Sequence, residues 1–108
     1  MVRGDGFAYD GERVSARTSS ALNEEITSAS TVDEILEHVR TRSHLYNRVN
    51  CATAWHRLGK TYRATGRAAR WREDERMGEL EATTRRLLPS LAVQNLSNIA
   101  WACAVLKY

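Results

Sequence analysis

Residues 48–64, Arg48-Val49-Asn50-Cys51-Ala52-Thr53-Ala54-Trp55-His56-Arg57-Leu58-Gly59-Lys60-Thr61-Tyr62-Arg63-Ala64, decide the fold. Placed on a helical wheel at about 100° per residue, Cys51, Ala54, Trp55, Leu58 and Tyr62 fall on one side. Asn50, Thr53, His56, Arg57 and Lys60 fall on the other. The pattern predicts an amphipathic helix whose apolar side needs a partner helix and whose polar side is free for contacts. Gly66 is expected to stop or kink it, because glycine disfavours a helix interior.

The same periodicity extends both ways. Upstream, Thr31 and Glu34 have the spacing of a capping box, and Val32, Ile35, Leu36 and Val39 recur at helical intervals, predicting a helix over about 31–42. Downstream, Met77, Leu80, Thr84 and Leu87 mark a helix over about 69–88 that Pro89 breaks. A fourth helix starts near Val93 and places Leu96, Ile99, Ala100, Cys103 and Leu106 on one face. Compared with itself at an offset of 45, the chain keeps its apolar register, broken by Leu36 against Glu81: Val32 falls on Met77, Ile35 on Leu80, Cys51 on Leu96, Ala54 on Ile99 and Leu58 on Cys103. Glu34/Glu79, Arg40/Arg85 and Asn50/Asn95 are identical. A period of that length belongs to α-solenoids. The predicted architecture is therefore all-α: a disordered leader over 1–20, then a helical-repeat domain over 21–108. That domain holds two helical-hairpin repeats, about 21–65 and 66–108, forming part of a longer array. Trp101, Ala104 and Tyr108 make the last helix apolar on nearly all sides, so it expects a further neighbour.

At 108 residues the chain is one small domain. No stretch is apolar and long enough to span a bilayer, so no membrane association is expected. Its two Cys cannot form a disulfide framework and read as buried thiols. The formal net charge is +3, with 14 of the 16 bases being Arg. Residues 57–72 carry Arg57, Lys60, Arg63, Arg67, Arg70 and Arg72 and no acid, while the rest of the chain is slightly acidic. A basic segment on an otherwise acidic chain is the footprint of a polyanion site. The plain structural alternative is a solvated helix face balanced by Glu73, Asp74 and Glu75.

Two stretches carry a family likeness. Asn95-Leu96-Ser97-Asn98-Ile99-Ala100-Trp101-Ala102-Cys103-Ala104-Val105-Leu106 resembles the Q-x-L-[AS]-N-x-x-W-A-x-A-x-L helix repeated in organellar RNA-binding proteins of algae and protists. Residues 46–60, from Tyr46-Asn47-Arg48-Val49-Asn50 to Lys60, are similar to the F-N-x-V-N-x-A-T-A-L-H-R-L-A-K segment that precedes it. The likeness covers about 21–108 and points to octotricopeptide-type repeats, FAST-kinase-like mitochondrial proteins and the helical domain of the trypanosome RNA-editing substrate-binding complex. It implies an RNA-binding α-solenoid of a mitochondrion or plastid, acting in RNA processing, stability or editing. Trp55 and Gly59 stand where those relatives carry Leu and Ala. A competing likeness is the tetratricopeptide repeat, whose first helix matches Trp55-x-x-Leu58-Gly59-x-x-Tyr62; the residues its second helix needs are missing around Trp71, Glu75 and Gly78.

Nothing in the pattern calls for an enzyme or a cofactor. His38, His44, Cys51 and His56 match no zinc spacing, and no phosphate-cradling glycine loop is present. The expected contact residues for single-stranded RNA are Asn50, Thr53, Arg57 and Lys60 on the polar helix face, followed by Arg63, Arg67, Arg70, Trp71 and Arg72. Asn and Thr can hydrogen-bond base edges, Arg and Lys can hold phosphates, and Trp71, off the Met77/Leu80 stripe, is the freest to stack on a base. The plain alternative is that Asn50 and Thr53 only cap or pack and that Arg67–Arg72 form an exposed loop. A second expected partner is another helical-repeat protein, docking on the C-terminal helix.

Overall fold

The computed structural model describes residues 17–65 and 71–108. Among them every regular element is helical. A helix over 17–28 (α1) leads to α2 (Val32–Arg42), α3 (Arg48–Thr65), α4 (Glu75–Leu87) and α5 (Val93–Leu106). Three 3-10 turns, Ser43–Leu45, Trp71–Glu73 and Leu88–Ser90, sit between them.

Local chemistry sets the boundaries. Thr31 caps α2: its hydroxyl accepts from the Glu34 N–H at 3.0 Å, and the Glu34 carboxylate accepts in return from the Thr31 N–H at 3.3 Å. Asn47 and Asn50 form the same reciprocal pair at the start of α3, at 2.9 and 3.1 Å. Asp74 caps α4 by accepting from the Arg76 N–H at 2.9 Å. At the end of α5, Lys107 adopts the left-handed conformation (φ 56), and the Tyr108 N–H reaches the Cys103 carbonyl at 3.0 Å, as in a Schellman turn.

Two sets of boundaries share the offset read from the sequence. The turn Ser43–Leu45 lies 45 positions before Leu88–Ser90, and the start of α3 lies 45 before that of α5. Packing follows the same order, with α2 against α4 and α3 along α5. Asn95, the counterpart of Asn50, accepts from the Ala92 N–H at 2.9 Å. The identity Asn50/Asn95 thus has a capping role in both halves.

Three expectations need correction. Residues 17–20, expected in the leader, belong to α1, whose Leu22 and Ile26 are fully buried in the core. Residues 1–16 lie outside the described residues. α4 begins at Glu75, because Asp74 supplies the cap and Trp71–Glu73 form a separate turn. The buried face of α5 is Asn95, Ala102 and Leu106, while Leu96 is 46% exposed and Ile99 and Cys103 are half-buried. That rotation follows from Gly59, where a Cβ would lie 3.0 Å from the Trp101 ring and 3.3 Å from the Ala102 backbone, so α5 approaches α3 through Ala102.

Guanidinium groups tie the helix ends together. Arg48 donates to the Ser90 carbonyl at 3.2 Å, Arg57 to Ala29 at 3.2 Å, and Arg86 to Ser43 and Tyr46 at 3.3 and 3.4 Å. Arg72 donates to Leu106 and Lys107 at 2.7 and 3.1 Å. Arg76 bridges α2 and α4 through Asp33, Glu37 and Asp74, at 2.8, 3.3 and 2.7 Å. The Leu106 and Lys107 carbonyls that Arg72 holds are among those left open at a helix C-terminus.

Candidate nucleic-acid interface

The polar side of α3 divides in two. Asn50 and Arg57 face α1. Asn50 is 0% exposed, and its amide donates to the Ser19 carbonyl at 2.9 Å and to Asn23 at 3.1 Å. It cannot reach a base, which corrects the expectation for this residue. Arg57 is half-buried, with one Nη on the Ala29 carbonyl and a buried Nε that has no partner among the described residues. The physical reason is α1, which covers the half of the face that sequence periodicity leaves open.

The other half is open. His56, Lys60 and Arg63 recur at helical spacing on α3 and, with Ala64 and Trp101 of α5, line a cleft of about 450 Å³. Lys60 and Arg63 are exposed, and the Arg63 guanidinium lies 5.9 Å from the Trp101 ring centroid. The His56 ring sits 5.0 Å from Trp101 at an interplanar angle of 43°. Burial first, then the charges of Lys60 and Arg57, push the His56 pKa below its ordinary value, favouring the neutral imidazole. Thr53 lies half-buried, one turn before His56 on α3.

Trp71 is not available for stacking. It is 4% exposed, edge-on to Tyr62 at 5.8 Å and tilted against Tyr108 at 5.7 Å. The turn at Trp71–Glu73 folds this ring back over the end of α3, where it completes an aromatic cluster rather than facing solvent. Its neighbour Arg72 is exposed and lies 5.1 Å over the Trp71 ring. Arg67 and Arg70 fall outside the described residues.

Sequence reasoning missed Trp101, which it assigned to an apolar flank, and Lys107. The signal for Trp101 was its position 45 after His56, on the counterpart of the polar face of α3. Both thiols are free; burial pushes Cys51 up in pKa and holds it protonated beside the Thr84 hydroxyl at 3.3 Å. No group of three or more His, Cys, Asp or Glu converges among the described residues, and none of the described helices is long and apolar enough to cross a membrane.

No family model matches the chain, and neither a curated protein nor a solved structure is significantly similar to it.

Proposed function

We propose that the chain is a non-catalytic RNA-binding segment of an α-solenoid, acting in the processing, stability or editing of organellar RNA in a mitochondrion or plastid. The observation that carries this reading is the cleft beside α5, where Lys60 and Arg63 flank the half-exposed Trp101. Cations that track a phosphate strand beside an aromatic ring for base stacking are the usual means of gripping single-stranded nucleic acid. The matching 45-residue placement of turns and helices supports a two-repeat solenoid. The organellar setting rests on the sequence resemblance alone.

Fluorescence anisotropy with an unstructured single-stranded RNA tests the reading. Affinity should fall steeply with salt as counterions are released. The double substitution Lys60→Glu and Arg63→Glu should weaken binding by about tenfold or more and flatten the salt dependence. Arg42→Glu, at an exposed position in the last turn of α2, should change it little. Equal losses in the two variants would refute the assignment to this cleft.

A second reading, a protein-interaction scaffold of tetratricopeptide-like type, draws on Val93 and Leu96, which leave α5 with an exposed apolar N-terminal end, and on exposed Leu88 in the turn before it; Val93 is 79% exposed. It expects a salt-insensitive complex with another helical protein and no RNA signal.

A further inference from the structure

The cleft does not end at Arg63. On the other side of that residue lies a second hollow of about 410 Å³, lined by Tyr62, Arg63, Arg72, Val105 and Lys107. Three of these five are cations, and none of the three forms a salt bridge with a carboxylate among the described residues. Two of them are held in place. Arg72 is anchored through one Nη to the Leu106 and Lys107 carbonyls and lies over the Trp71 ring, which leaves its remaining N–H groups for another acceptor. Lys107 occupies the left-handed position after α5, where glycine is the favoured residue, so a charged side chain stands there at a conformational cost.

We propose that this hollow binds the terminal phosphomonoester of a single-stranded RNA, with the adjoining base against Trp101 in the neighbouring cleft. The proposal rests on the RNA-binding reading above and adds what the site selects: a strand end. An internal phosphodiester carries a single negative charge, whereas a phosphomonoester carries about −1.5 to −2 near neutral pH and presents three acceptor oxygens. Three converging cations match the second better than the first. Arg63 lines both hollows, so it spans the boundary between base and phosphate. The neutral, tilted His56 ring beside Trp101 adds an uncharged wall suited to a base rather than to a second phosphate.

The test compares one internally labelled oligoribonucleotide carrying a 5′-phosphate, a 3′-phosphate or only hydroxyl ends, by anisotropy on the full chain. One phosphorylated form should bind about tenfold tighter than the hydroxyl-ended strand, the worth of one added charge-assisted contact, and the two arms identify which end is read. Lys107→Gly should abolish that preference while keeping or raising the melting temperature, because glycine relieves the left-handed backbone. Arg63→Gln should lower both the preference and the basal affinity. Equal affinity for all three strands overturns this proposal and leaves general RNA binding standing. A preference that survives Lys107→Gly overturns the assignment to this hollow, and no binding to any strand overturns both readings.

Discussion

Asn50→Ala separates a buried structural amide from a base-reading one. The Asn50 side chain donates to the Ser19 carbonyl at 2.9 Å and to Asn23 at 3.1 Å, and accepts from the Asn47 N–H at 3.1 Å. Truncation removes three hydrogen bonds, at a net of about 1 kcal/mol each, and leaves their partners without the amide that satisfied them. The expected loss is about 3 kcal/mol, a fall of roughly 15 °C in melting temperature for a domain of this size. The counterpart Asn95 provides the control, since its side chain makes one such bond, to the Ala92 N–H at 2.9 Å. Asn95→Ala should cost about 1 kcal/mol. Both changes carry the same gain in helix propensity, which cancels in the comparison. Urea melts followed by circular dichroism measure the two, and RNA anisotropy well below the melt should find the Asn50 variant unimpaired. A variant that melts like the parent while losing RNA affinity would refute the packing of α1 over this face.

Two glycines should respond in opposite senses. Gly78→Ala, in an exposed turn of α4 with open space around the added Cβ, should stabilise by about 1 kcal/mol. Gly59→Ala should destabilise by about 1 kcal/mol despite the same helical gain, and should shift tryptophan emission as the Trp101 ring yields. Arg76→Gln should cost about 1.5 kcal/mol in thermal melts, with the difference from the parent narrowing in high salt, as its partner Asp33 is largely exposed and Glu37 about half exposed. His56 has its pKa lowered by burial and by Lys60 and Arg57, so the unfolded chain takes up this proton first. The stability it contributes is complete above about pH 6.5 and is lost as pH falls below that value. His56→Gln should flatten the stability profile in that window; an unchanged profile would count against the burial of this ring.

Local signals were legible where they involve residues a few positions apart. Thr31 with Glu34, Pro89 and the stripe through Cys51, Ala54 and Leu58 all lie within one element, and each matches the structure. The 45-residue offset matches the placement of the turns Ser43–Leu45 and Leu88–Ser90 but not the buried register, since Cys51, Ala54 and Leu58 are buried whereas Leu96 is exposed and Ile99 and Cys103 are half-buried. α1 was not, because only Leu22 and Ile26 anchor it among serines, threonines and acids. Missing α1 is what turned Asn50 into a surface residue on paper. Trp71 was misjudged for a related reason: the pocket between Tyr62 and Tyr108 that receives it joins residues 46 apart in the chain. Of the expected contact residues, Lys60, Arg63 and Arg72 are exposed on the hollows beside α5, whereas Asn50 and Trp71 are interior.

The arginines at the helix ends carry a consequence for how this molecule tolerates change. Rewriting Arg48, Arg57, Arg72, Arg76 and Arg86 as lysine would preserve every unit of charge, and so every long-range electrostatic property. It would still loosen the joints, most of all at Arg76, whose several guanidinium nitrogens reach Asp33, Glu37 and Asp74 together, a spread that one compact ammonium does not reproduce. Drift toward lysine at these sites should therefore be felt first as fraying between neighbouring helices, long before the pull on a distant anion weakens.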